Sequence, residues 1–267
     1  MRSIEHAMYI LISFIITGGI LYLFTRVKKD NKKYIYMKIT SVLAFAVMIF
    51  EIYAMYTTNG ETEWGKGPDI YVPLIFPIYP CNLNMYILLF YPALLRSKNE
   101  KFRNIVFTYM GYVSSAGAIF SLFLHVNIER DPHLTLLVPT FIHLLSHSFL
   151  LLGSLAPFFF KWIKPRVYNI VPIVIGITFA FLWGLLMALI VTLLGKDTPN
   201  AMWIFEGIDP RYPWLNGWVM AAAAIPGFTI VNAVIELIFV KKNERFKWEW
   251  FPVSDNKKAE EQMDVLT

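Results

Sequence analysis

The chain has 267 residues, of which 57% are hydrophobic and only 16% charged, with a mean hydropathy of +0.51 and a formal net charge of +5. That apolar excess excludes an ordinary water-soluble domain. The Lys and Arg residues lie between apolar runs with no basic-aromatic pattern, which excludes a nucleic-acid module, and the single cysteine, Cys81, excludes an intramolecular disulfide or a paired-cysteine motif.

Crossing a bilayer as a helix takes roughly 20 apolar residues. In chain order the sequence predicts an all-α bundle of about seven such spans, at about 7–25, 37–56, 73–95, 105–125, 135–160, 168–194 and 214–240. The first run is nearly span-length and carries its positive charges on the far side, so it reads as a retained span, not a cleaved signal. The third begins abnormally, with Pro73, Pro77 and Pro80 directly before Cys81. Each removes a backbone donor and frees a carbonyl four residues back. Such backbone survives at membrane depth only where protein or a wet cavity surrounds it. Small residues Gly111, Ser114, Ser115, Gly117 and Ala118 in the fourth span, and Ala221 to Ala224 in the seventh, suit close helix packing. Residues 1–240 read as one bundle, and 241–267 as a charged tail with a basic juxtamembrane collar and a mobile end.

Orientation follows from the cations. Nineteen Lys and Arg fall in 26–38, 96–103, 161–166 and the tail, against five on the other side. The richer side is expected in the cytoplasm, which puts the N-terminus outside and the C-terminus inside. The outer loops 57–72 and 195–213 are rich in Gly, Pro, Asp and aromatic residues and are expected to cap the bundle.

Ionisable groups in a span cost about 2.5–3.5 kcal/mol on insertion scales, so each is a functional hypothesis by default. Counted from the outer span ends at about 1.5 Å per residue, Cys81 and His143 lie roughly 12 Å deep, His147 roughly 18 Å and Glu51 about 8 Å. All four fall in the outer half. Asn82 and Asn84 add hydrogen-bonding capacity beside Cys81. A lone cysteine in apolar surroundings packs as a small hydrophobe unless something activates it. His143 and His147 share a helix face with Ser146 beside them, and three readings fit: packing histidines, a base and its partner beside a nucleophile, or a metal pair completed by Glu51 or other donors. No metal or other cofactor is expected. Glu51 reads as protonated or histidine-paired, and His125 and His133 as solvated groups at an outer edge or loop.

At these residues the chain resembles the bacterial YwaF integral membrane proteins, related to eukaryotic transmembrane protein 164. The resemblance runs through IFPIYPCNL (75–83), MGYVSSAGAIFSL (110–122), LLSHS (144–148), GKDTPNAMWIF (195–205) and YPWL (212–215). It implies a helical bundle and, for the eukaryotic relatives, phospholipid acyl transfer with a cysteine nucleophile. By position the nucleophile is Cys81, the Ser-His histidine is His147 and the loop asparagine is Asn200. The family pattern often reads Pro-Leu-His-Leu-Cys followed by a polar or acidic residue, whereas this chain reads Pro77, Ile78, Tyr79, Pro80, Cys81, Asn82.

The expected function is therefore a lipid acyl transferase or hydrolase of the bacterial plasma membrane, with Cys81 as nucleophile and His147 as base in a pocket facing the outer leaflet. His143 or Glu51 would orient the base, and Asn82, Asn84 or Asn200 would donate to the oxyanion. Membrane lipids are the expected partners; no nucleic acid or protein partner is indicated. The alternative is a small-molecule transporter or ligand-binding membrane protein with the same broken helix and buried histidines.

Overall fold

The structure, a computed structural model, describes residues 4–57, 77–123, 138–195, 199–207 and 212–246. The expected outer loop 57–72, His125, His133 and the tail beyond 246 lie outside the described residues, apart from Thr57. The helices are α1 (Ile4–Arg26), α2 (Asp30–Thr57), α3 (Pro80–Leu89), α4 (Tyr91–Leu95), α5 (Glu100–Tyr109), α6 (Ser115–Phe123), α7 (Val138–Phe159), α8 (Ile170–Leu193) and α9 (Gly217–Phe239). Among the described residues there is no strand.

Among the described residues six stretches are long and apolar enough to cross a membrane: α1, α2, the continuous rod α5–α6, α7, α8 and α9. Of the expected third span, 73–95, residues 77–95 are described. There the described chain forms a ten-residue helix and a five-residue one, with Pro80 opening the first and Pro92 the second. Proline is favourable in a first helical turn, where its missing N–H is not needed, but it interrupts a helix that arrives from upstream. Elsewhere the boundaries follow from side-chain caps. Asn99 accepts from the Phe102 N–H to start α5, and Asn216 accepts from the Val219 N–H to start α9, both at 3.0 Å.

The central element is α7, which packs against α1, α2, α3 and α6. Its residues Leu144, Leu150, Leu151 and Ala156 are buried in the main core. Large apolar side chains such as Leu182, Leu193, Ile230 and Phe239 stay on the outside. That is the arrangement lipid demands, because lipid tails give apolar residues no reason to hide and helix association rests on packing and polar ties. The rod α5–α6 is joined by a π-helical turn at Met110–Ser114. At that turn Gly111 lies against the Phe158 ring, and Ser114 hydrogen-bonds Ser154 at 2.8 Å. The small-residue stripe is thus used at Gly111, Ser114 and Ala118, while Gly117 faces open space and Ala222 and Ala223 are exposed.

Polar ties fasten the two ends of the bundle. At one end His6 Nε2 bonds the Leu122 carbonyl at 2.8 Å. At the other, buried Glu236 of α9 accepts from the Val167 N–H at 2.6 Å and the Phe246 N–H at 2.7 Å, and faces Arg166 at 3.7 Å. Tyr112 donates to Asn232 and accepts from Asn169. The first residues of the expected tail, as far as 246, accordingly fold back on the bundle.

Candidate functional site

Three helices bring their ends together: the C-terminal part of α2 carries Glu51, the N-terminus of α3 carries Cys81, and the first turns of α7 carry His143 and His147. All lie at the end opposite the basic α1–α2 turn. Packing of α3 and α7 against α2 makes that convergence possible.

The best-defined contact is between Glu51 and His143. Glu51 is 5% exposed, and its Oε1 accepts from His143 Nδ1 at 2.6 Å. A buried carboxylate needs such a partner, because stripping its hydration without one costs several kcal/mol. The rings of His143 and His147 lie 4.2 Å apart. One turn along α7, the His147 Nδ1–H donates to the His143 carbonyl at 2.9 Å, as their separation on one helix face allows. That bond fixes the tautomer: with Nδ1 carrying the proton, Nε2 of the neutral ring holds the lone pair. His147 is 3% exposed, and among the described residues its Nε2 has no hydrogen-bond partner. Ser146 donates to the His143 carbonyl at 2.8 Å. The pair therefore splits into a carboxylate-bound ring and a ring with an open acceptor.

Cys81 is half-buried, on the second residue of α3, and packs against the main core. Its thiol donates to Asn82 Oδ1 at 3.4 Å; neither histidine accepts from it. Glu51 lies within electrostatic reach of the sulfur. The backbone N–H groups of Cys81 and Asn82 stand beside the sulfur at a helix start where the ladder does not use them. Sequence reasoning overlooked these two donors. Their signal was legible as Pro-Cys-Asn, with proline at the first helical position.

The remaining asparagines separate. Asn84 is 2% exposed, and among the described residues neither Asn84 Oδ1 nor Tyr109 Oη has a hydrogen-bond partner. Asn200 spends its side chain on its own loop, donating to the Glu206 carbonyl and accepting from the Phe205 and Glu206 N–H groups, each at 3.1 Å. With these bonds Asn200 ties the loop together. The loop it ties sends the Met202 N–H to the Ile78 carbonyl at 3.0 Å, while Trp183 Nε1 reaches the Pro77 carbonyl at 3.1 Å. The Pro77 and Ile78 carbonyls are thereby satisfied, and the segment leading into Cys81 is clamped. Met202 and Trp203 hold positive φ of 52° and 53°, costly for side-chain-bearing residues and consistent with a loop under constraint.

A family model described as the TMEM164 family matches residues 1–245. The chain belongs to the TMEM164 family. Within this TMEM164 member the match covers every candidate residue, and the apolar helices agree with a multi-pass membrane protein. No curated protein and no solved structure matches it. Among the described residues no three His, Cys, Asp or Glu side chains group as metal ligands. Besides the backbone donors, sequence reading of this family member missed Glu236, whose signal was a carboxylate inside the last apolar run.

Proposed function

We propose that the protein is a membrane-embedded lipid acyltransferase or acyl hydrolase of the bacterial plasma membrane, close in type to the YwaF proteins, acting on the outer leaflet. The observation that carries the reading is the open acceptor at His147 Nε2, buried beside a carboxylate-bound histidine and in the same helix-end cluster as the chain's one thiol. An imidazole with one nitrogen pinned to a carbonyl and the other left bare is the form a general base takes.

In this reading His147 Nε2 takes the Cys81 proton as the sulfur attacks an ester carbonyl of a phospholipid. The C–O bond breaks, the proton passes to the leaving lysolipid oxygen, and an acyl thioester remains on Cys81. A lysolipid hydroxyl gives transfer and water gives hydrolysis, either one regenerating the thiol. The oxyanion is held by the N–H groups of Cys81 and Asn82, and the Asn82 side chain adds to them. Glu51 orients His143, whose carbonyl holds the base. Sulfur and base are not hydrogen-bonded without substrate; catalytic contacts of this kind commonly tighten only in the complex.

The test uses purified protein in lipid nanodiscs with a phospholipid labelled in its acyl chain. Wild type should form an adduct on Cys81 that neutral hydroxylamine releases. Cys81→Ser should lose it, and His147→Ala should slow it by about 10²–10⁴-fold, the range of general-base catalysis. Full transfer by Cys81→Ser would refute the assignment. If labelled solute crosses the membrane instead and no adduct forms, the transporter reading takes its place.

A further inference from the structure

Far from the Cys81 cluster, a cavity of about 600 Å³ opens at the turn between α1 and α2. Asp30 and Glu51 stand at opposite parts of α2, 21 residues apart, or about 32 Å along the helix at 1.5 Å per residue. The two sites are therefore independent.

The lining is one-signed. Arg26, Lys28, Lys29 and Lys32 face the cavity, with no Asp or Glu among its lining residues. Asp30, the acid nearest in sequence, is engaged by Lys33 at 2.7 Å. Lys28, Lys29 and Lys32 make no ion pair among the described residues. Arg26 is held over the Tyr22 ring, 5.0 Å from its centroid, and bonds its hydroxyl, so its guanidinium is already placed. Four cations with no counter-charge repel one another unless an anion joins them.

The other half of the cavity is apolar. Phe24 stacks on Phe160 at 4.5 Å and on Tyr36 at 5.9 Å, giving a rigid aromatic wall. Ile20 and Leu23 also line it, and Leu23 is 62% exposed on the surface of a spanning helix. A cationic mouth at a span end that continues into an apolar, lipid-facing groove matches a molecule with an anionic head and a hydrocarbon tail. A free phosphate or nucleotide would use the cations but would gain nothing from Ile20, Leu23 and Phe24.

We propose that this cavity binds an anionic membrane phospholipid, its phosphate among Arg26, Lys28, Lys29 and Lys32 and an acyl chain along α1 past Leu23 and Ile20. The volume falls in the range of small-molecule sites, about 300–1,000 Å³. Each Lys or Arg near an anionic surface contributes about 1 kcal/mol. The site serves as an anchor and lies remote from the proposed acyl chemistry, so neither depends on the other.

Native mass spectrometry of the purified full chain, titrated with phosphatidylglycerol or phosphatidylcholine, tests the proposal. Phosphatidylglycerol should bind selectively. The exposed-site triple variant Lys28→Gln, Lys29→Gln, Lys32→Gln should bind it at least about tenfold more weakly. The triple Lys→Arg variant should keep binding, as should Lys33→Gln, whose lysine is spent on Asp30. Equal binding of phosphatidylcholine, no loss in the triple Gln variant, or equal loss in Lys33→Gln would overturn it. Full competition by millimolar inorganic phosphate would overturn the lipid in favour of a free anion.

Discussion

Removing one member of the Glu51–His143 pair should harm the protein more than removing both. His143→Leu leaves a carboxylate that is 5% exposed without its 2.6 Å donor, and breaking a buried pair in this way costs about 3–5 kcal/mol. Glu51→Leu leaves an Nδ1–H donor on a less buried ring, at about 1–3 kcal/mol. With both changed to leucine no polar group is stranded, so the double variant should lie within about 2 kcal/mol of wild type. The cycle therefore predicts a coupling of about 2 kcal/mol or more. It is measured by titrating the protein out of lipid micelles with dodecyl sulfate and following tryptophan fluorescence, each variant on the same lipid. A coupling below about 0.5 kcal/mol, the scatter of independent sites, would refute the claim that the pair stabilises the fold. Acyl transfer in the restored double variant should stay below wild type, which separates the pair's positioning role from its contribution to stability.

Asn200→Ala should free three backbone groups of its loop and cost about 1–3 kcal/mol; hydrogen exchange at the Met202 amide should rise, and acyl transfer should fall without any change at Cys81. Glu236→Ala strands the Val167 and Phe246 amides and should lower the unfolding free energy by about 2 kcal/mol or more, with faster proteolysis after residue 240. Gly176→Ala drives a Cβ into the Tyr109 ring and should destabilise by about 1–3 kcal/mol in the same titration. Cysteines introduced at 28–33 or 96–104 should resist impermeant reagents in intact cells while those at 57–70 react; the reverse would invert the proposed orientation.

The apolar helices were legible because a bilayer imposes length and composition directly, and six stretches of spanning length stand where runs of apolar residues predict them. The third was legible only as an interruption. Prolines announce that a helix stops, but how Pro77 and Ile78 are then satisfied depends on Trp183 and Met202, more than a hundred residues downstream. A histidine partner for Glu51 was foreseeable from depth, since both groups were expected at the same level of the bundle. That His143 holds the carboxylate while His147 keeps its Nε2 open is decided by the turn of α7 and its carbonyl. Asn200 was drawn toward the chemistry by its motif, and its three hydrogen bonds within the loop could not be read from that motif. Glu236 was passed over because its partners, Val167 and Arg166, come from another connection altogether.

The seating of α9 bears on how the chain is assembled. Few of its residues are buried: Gly217 at one end, and Asn232 and Glu236 toward the other. No candidate active-site residue lies on it. During synthesis the helices that carry Glu51, Cys81, His143 and His147 have already left the ribosome when α9 is made, so the cluster can form first. α9 then arrives as a late leaf whose polar latches, Asn232 to Tyr112 and Glu236 to Val167, close on a finished scaffold. A chain ending before residue 217 should already bring Glu51, Cys81, His143 and His147 together.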